Sequence, residues 1–365
     1  MKKIMLAIYC ALFLIPCAFF SLGMMIPGAA NASSSVEGAK MPQLLCEEPS
    51  ISINSKFGLE FEEYFAKTFA YRNKVVDLFS SLKSNVFSEG NEQVVIGKDG
   101  FLFFGETLDD YLGRSQMSDD DINAAADFLL ELYLSSTEKG AKFLFVCAPN
   151  KNSIYPEMMP SRYIMNTDER NLDRLYSALD EREVPYLDLR PVLTEAKELQ
   201  LIYHKRDTHW NAEGARIAIE AIASELSMPL DDFSAYEKTE VTNFPGDLDA
   251  LLFPEREMYD NNIEYNFGGK FRFKKAYSNM MANEIESSNN NGTGNLIMFR
   301  DSFANAMIPF FASSCETTLF ERSTPYSLDN SQSINPDYVI VEIAERYINT
   351  LVPSDEPTKN SANKE

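Results

Sequence analysis

The sequence predicts an α/β fold in which a parallel sheet is flanked by helices. Short apolar runs, Phe143–Cys147, Asn295–Phe299 and Asp337–Ala344, read as strands buried on both faces. Other stretches carry apolar residues at helical spacing: Ile122/Ala125/Leu129/Leu132, Leu172/Leu175/Leu179 and Ala215/Ala218/Ile222/Leu226. The 365 residues, 45% hydrophobic and 24% charged, are enough for one large α/β domain and an appendage.

Along the chain, Lys2 and Lys3 precede an apolar stretch from Ile4 to Pro27, and Ala30-Asn31-Ala32 fits a small-x-small cleavage site. Residues 1–32 therefore read as a signal peptide or an N-terminal membrane anchor, which puts the bulk of the protein outside the cytoplasmic membrane. Residues 33–93 form a polar linker and a helical segment in which Phe57–Phe87 has an amphipathic, core-packing pattern. Val94–Gly97, the turn Lys98-Asp99-Gly100 and Phe101–Phe104 spell a hairpin.

Ser118 followed by Asp119, Asp120 and Asp121 starts a helix that Gly140 ends. After strand Phe143–Cys147 comes the loop Ala148–Pro156, then a second helix and the strand Val184–Asp188. Leu201–Tyr203 reads as a further short strand, and Asn211 as the N-cap of the next helix. From Phe244 to Asn291 the pattern is weak and polar. Strand Asn295–Phe299 then turns into a helix near Phe303, and Asp337–Ala344 is the last strand. Residues 94–352 thus make the main domain, with a polar tail at 353–365 whose composition is that of a disordered segment.

The formal net charge of −22 argues against nucleic acid and anionic lipid as partners, so an anionic substrate would need a local basic patch. Five cysteines do not make a disulfide scaffold. Cys10 and Cys17 fall in the export segment; one disulfide among Cys46, Cys147 and Cys315 is open, and the sequence does not select the pair.

The chain has only two histidines, His204 and His209, so any imidazole chemistry must use one of them. Asp207 and His209 lie two residues apart, which in an extended segment projects both side chains to one face. Asp207 can then accept the Nδ1 proton of His209, leaving Nε2 to take a proton from a serine. Ser302, at the turn from strand to helix, stands where helix N–H groups can stabilise an oxyanion and is the candidate nucleophile. Each signal alone also has a plain reading: a serine opening a helix is an N-cap, and Asp-x-His occurs in ordinary loops. A metal held by His204, Asp207 and His209 is a further option, but it lacks a second His or Cys cluster. Trp210 fits either a sugar-binding wall or packing beneath the loop.

Six blocks in order resemble the AlgX/AlgJ-type, or DHHW-type, SGNH hydrolase-like proteins of polysaccharide O-acetylation. They are Phe69-Ala-Tyr-Arg72, Gly97–Phe103, Pro149–Pro156, Asp207-Thr-His-Trp-Asn211, Gly246-Asp-Leu248 and Asp301-Ser-Phe303. The resemblance spans about Phe57 to Thr350 and implies an SGNH-hydrolase-like sheet with permuted motif order, the Asp-x-His block preceding the serine. It implies a triad of Ser302, His209 and Asp207 that carries an acetyl group to a sugar hydroxyl. A membrane-bound O-acyltransferase is implied as acetyl supplier and a polysaccharide as acceptor; no cofactor or metal is expected. Asn305, Trp210, Lys151 and Arg346 are further candidates for oxyanion or substrate contacts.

Two departures stand out. Arg300 occupies the position where the family usually has Gly, a residue that could crowd or recharge the turn. Little sequence follows the last strand, so the carbohydrate-binding module of AlgX is not expected and AlgJ-like or Gram-positive DHHW relatives are the nearer comparison. An acetylesterase with the same triad and a non-catalytic polysaccharide-binding or assembly protein are the alternative functions.

Overall fold

In a computed structural model the described residues are 90–353, apart from 167–168, 275–279 and 329–333, together with a few isolated positions before residue 90. The expected export segment, nearly all of the helical segment at 57–87 and the tail beyond Pro353 lie outside the described residues. Residues 88–251 and 257–365 form one compact unit, and residues 1–87 group with 252–256 in a second. In the smaller unit Leu45–Cys46 pairs antiparallel with Ser52–Ile53, and Arg256 pairs with Asp77 at 2.9 Å.

The larger unit opens with a hairpin, β1 (Val94–Ile96) and β2 (Leu102–Phe104). Asp99 and Gly100 at its tip both have positive φ, 51° and 82°, the conformation a tight two-residue turn with the strands' twist demands. Helix α1 (Asp119–Glu138) starts at Ser118, whose hydroxyl accepts the Asp121 N–H. The succession then runs β3 (Lys142–Ala148), α2 (Asn171–Glu181), β4 (Tyr186–Asp188), α3 (Arg190–Lys197) and α4 (Ala212–Leu226). It continues with β5 (Lys238–Pro245), α5 (Asp247–Leu252), β6 (Tyr259–Tyr265), β7 (Arg272–Phe273) and β8 (Glu284–Ser288). Last come β9 (Asn295–Phe299), α6 (Ile308–Ser314), β10 (Thr317–Glu321) and β11 (Tyr338–Ala344).

Seven strands make the central sheet in the order β4-β3-β11-β9-β10-β8-β7. The expected parallel sheet flanked by helices is present in five strands, and β8 and β7 add antiparallel to the β10 side, so the whole sheet is mixed. Both come from the polar stretch before Asn291, where an apolar strand signature is missing because β7 is an exposed edge strand and only Ile285 and Ser287 of β8 are buried. Leu201–Tyr203 is also not a sheet strand; Tyr203 makes a single bridge to Trp210 across the loop between them.

Alternation along the central strands divides the core in two. Leu144, Val146, Leu296, Met298 and Ile340 face α4 and α6, whereas Phe143, Phe145, Ile297, Phe299, Val339 and Val341 face α1 and α2. Cys147 and Cys315 are buried free thiols, so neither takes part in a disulfide. The carboxyl ends of β3, β9 and β11 deliver Asn150–Lys151, Arg300–Ser302 and Glu345–Arg346 to one edge, where open α/β sheets place their ligands.

Candidate active site

The loop between Tyr203 and Asn211 closes on itself, with the His204 N–H donating to the His209 carbonyl at 3.2 Å. Within it, Asp207 and His209 meet through a turn and not along an extended face. Asp207 Oδ1 accepts both the His209 backbone N–H at 2.9 Å and the Nδ1 proton at 2.7 Å. An aspartate that binds the N–H two residues on is the ordinary Asx turn, and it fixes the carboxylate against the ring. His209 Nε2 lies 2.8 Å from Ser302 Oγ. Asp207 and Ser302 are each 3% exposed, while the His209 side chain between them keeps 22% of its surface open to solvent.

Electrostatics follow from that burial. Burial works against the charged form of both partners, but the ion-pair and hydrogen bond outweigh it: Asp207 is held well below the usual carboxylate range and His209 is raised above an ordinary imidazole. Asp247 sits just behind. Its N–H donates to Asp207 Oδ2 at 2.9 Å, and its carboxylate accepts from the Thr208 N–H at 2.9 Å and the Thr208 hydroxyl at 2.6 Å. Partial burial, then the charge of Asp207, push Asp247 up to about 6. Sequence reasoning placed Asp247 in the Gly246-Asp-Leu248 block but gave it no role, because nothing in that block reveals contact with a loop 40 residues away.

Gly246 permits the approach. A Cβ there would lie 2.3 Å from the Arg206 carbonyl oxygen, so any other residue would push the loop away. The ribbon of β5 and β6 holds the same loop from outside. Asp260 accepts the Arg206 N–H at 2.9 Å, and His204 stacks on Phe244 with ring centroids 3.8 Å apart while its Nδ1 meets the Asn261 carbonyl. His204 is therefore directed away from Asp207, and the metal trio of His204, Asp207 and His209 does not assemble. Asp207, His209 and Asp247 do bring one potential ligand atom each within 4.8 Å of the others. Those atoms are already engaged in hydrogen bonds within the cluster, which suits proton handling.

The remaining sequence candidates divide. Lys151 is buried, and its ammonium donates to the carbonyls of His204, Lys205 and Asp207, so it braces the loop from beneath. Burial lowers it to about 8. Trp210 is 1% exposed and its indole N–H donates to the Phe303 carbonyl at 2.8 Å, so it packs under the site and is no sugar-binding wall. Asn305 turns its carboxamide to Arg300 at 2.7 Å and Met281 at 3.4 Å, which leaves the oxyanion role expected of it without geometric support. Arg346 stays half-buried at the edge, its guanidinium 5.1 Å from the Phe303 ring, and that ring packs 4.8 Å from His209.

Arg300 does not crowd the turn. Fully buried, it donates to the carbonyls of Met280 and Ala282 and to Asp301, tying the chain before β8 to the end of β9. Asp301 in turn accepts the Phe303 N–H at 2.8 Å and the Ala344 N–H at 2.7 Å, which sets the Ser302 turn against β11. After it the chain makes a 3-10 turn, Phe303–Ala306, before α6.

A buried carboxylate, an imidazole and a serine stand in line on the carboxyl edge of this sheet, in a fold that resembles SGNH hydrolase-like domains. Residues 94–262 match the family model described as ALGX, SGNH hydrolase-like domain, acetyltransferase AlgX. The match includes Asp207, His209 and Asp247 and stops short of Ser302. Among curated relatives, the probable alginate O-acetylase AlgJ of Pseudomonas aeruginosa is 26% identical over 206 residues, covering 55% of this chain and 51% of the relative. The chain thus spans about half the length of the curated relatives it matches. Among solved structures, Bacillus cereus PatB1 with a sulfonyl adduct has a TM-score of 0.55 at 18% identity, over 70% of this chain and 95% of that one. A DHHW family protein from Eubacterium siraeum has a TM-score of 0.52 at 18% identity, over 72% and 95%. These structural likenesses bear on the fold.

Proposed function

We propose that this protein is an extracytoplasmic polysaccharide O-acetyltransferase that works through an acetyl-serine at Ser302. The observation that carries the reading is the unbroken line Asp207 Oδ1–His209 Nδ1, His209 Nε2–Ser302 Oγ, at 2.7 and 2.8 Å. His209 takes the proton of Ser302 as Oγ attacks the acetyl carbonyl of the donor, and Asp207 stabilises the imidazolium that results. The Ser302 N–H would donate to the developing oxyanion, with the positive charge of Arg346 nearby, 5.1 Å from the Phe303 ring. Collapse expels the donor's leaving group, which receives the proton from His209. A sugar hydroxyl then gives its proton to His209 and attacks acetyl-Ser302; the second collapse returns the proton to Oγ and releases the acetylated sugar.

The export segment read at residues 1–32 supports an extracytoplasmic site, and there acetyl must be delivered across the membrane, a task suited to a membrane-bound O-acyltransferase. Among the described residues no helix is long and apolar enough to cross a membrane. The names of the AlgJ relatives support a polysaccharide as acceptor.

The test incubates the purified protein with p-nitrophenyl acetate, with and without oligosaccharide, and follows acetyl-sugar by mass spectrometry. Acetylated sugar is expected, and Ser302→Ala or His209→Ala should each slow its formation by about two to four orders of magnitude. Acetate release that ignores the sugar would make the protein an esterase. Sugar acetylation no faster than without protein, and the same in both variants, would make it a non-catalytic assembly protein.

A further inference from the structure

We propose that Asp247, acting through the Thr208 hydroxyl, is a second carboxylate for His209 that orients the imidazole and stabilises its protonated form; this rests on the acyl-transfer reading above. The Thr208 hydroxyl has one proton, and at 2.6 Å from Asp247 Oδ2 it is given to that carboxylate. Its oxygen, 3.1 Å from His209 Nδ1, is then free to accept from the ring N–H. The Nδ1 proton is therefore shared between Asp207 Oδ1 at 2.7 Å and Thr208 Oγ1, and behind the hydroxyl stands a second negative charge with Oδ2 3.8 Å from Nδ1. The main chain makes the same connection, since the Asp247 N–H binds Asp207 Oδ2 and Asp247 also accepts the Thr208 N–H.

Asp247 is thus a positioning residue that bears on His209 by two routes, one geometric and one electrostatic. The charged groups facing this cluster come from several elements. Asp207, Lys151 and Arg206 lie around the loop, Asp260 belongs to the ribbon, and Arg346 follows β11. Of these, Asp207 and Asp247 favour the imidazolium and Arg346 opposes it. Removing the Asp247 charge while keeping its N–H should therefore lower the pH at which His209 gains its proton.

His204 and His209 are the only histidines, so an NMR titration of imidazole resonances in the full-length protein yields two curves, assigned with His204→Gln. Asp247→Asn is expected to lower the His209 midpoint by about half to one pH unit and leave His204 in place. Thr208→Val should shift His209 in the same direction, and Asp247→Glu should restore it towards the native value. In parallel, the acid limb of the kcat/KM profile with p-nitrophenyl acetate should move by the same amount, with a fall in kcat of about three- to thirty-fold and little change in KM. A His209 midpoint that is the same in native protein, Asp247→Asn and Thr208→Val overturns the proposal. The titration does not depend on turnover. If native protein transfers no acetyl group while Asp247→Asn still shifts His209, the electrostatic coupling stands and the acyl-transfer reading fails.

Discussion

Glu342 lies at the floor of the site with no exposed surface, one carboxylate oxygen 3.2 Å from the Asp301 N–H. Burial, and then the charge of Asp301, raise it well above the usual carboxylate range, so the folded protein keeps a proton there that the unfolded chain would release. A raised value means that Glu342's contribution to stability is complete below the ordinary glutamate range and is lost as pH rises from there. Glu342→Gln copies the protonated carboxyl. Its melting temperature relative to native protein should be near equal at about pH 4.5 and should rise by several degrees by about pH 8, since each pH unit is worth at most about 1.4 kcal/mol. A gap that stays constant across that range would show that Glu342 is ionised in the folded state. This residue was invisible as a site member in the sequence, where it reads as one polar position in an apolar strand. The pairing of Asp207 with His209 was legible for the opposite reason: with only two histidines and one spaced two from an aspartate, the choices were few.

The loop from Tyr203 to Asn211 shows what an element can hide. Its sequence paired Asp207 with His209 but suggested an extended segment, whereas the two meet through an Asx turn braced by Lys151 beneath and by the β5–β6 ribbon outside. That ribbon was not legible because its exposed strands lack the apolar alternation of a half-buried strand. The helices were easier: Ser118 and Asn211 both cap as their sequence context predicts. Gly246 tests whether loop placement matters for chemistry. Gly246→Ala sets a methyl 2.3 Å from the Arg206 carbonyl oxygen and must displace the backbone of Arg206 or of Asp247. Because a misplacement of about 1 Å costs on the order of 100-fold in rate, acetyl transfer should fall by about 10- to 100-fold. A melting temperature that falls by only a few degrees would place the effect in alignment and not in global folding; unchanged kcat would show that the loop tolerates the shift.

Across the larger unit, groups from residue 149 to residue 346 converge on one edge because β3, β9 and β11 are parallel neighbours that all end there. That convergence was foreseeable once the strands were recognised, whereas the antiparallel side of the sheet was not. Charge is the property that belongs to the whole chain. At −22 the protein repels anions at long range, and the positive charge of Arg346 near His209 is local. An acidic oligosaccharide therefore meets an unfavourable field before it meets Arg346, and a neutral one does not. Salt shortens the reach of that field, from about 30 Å at 0.01 M to about 8 Å at 0.15 M. We expect kcat/KM for an acidic acceptor to rise by about two- to tenfold over that interval, with kcat unchanged and a neutral acceptor of equal length unaffected. A decrease with salt for the acidic acceptor would instead mean that the basic groups beside the site, Arg346 first among them, govern its approach, and the charge of the whole chain would then have no bearing on acceptor choice.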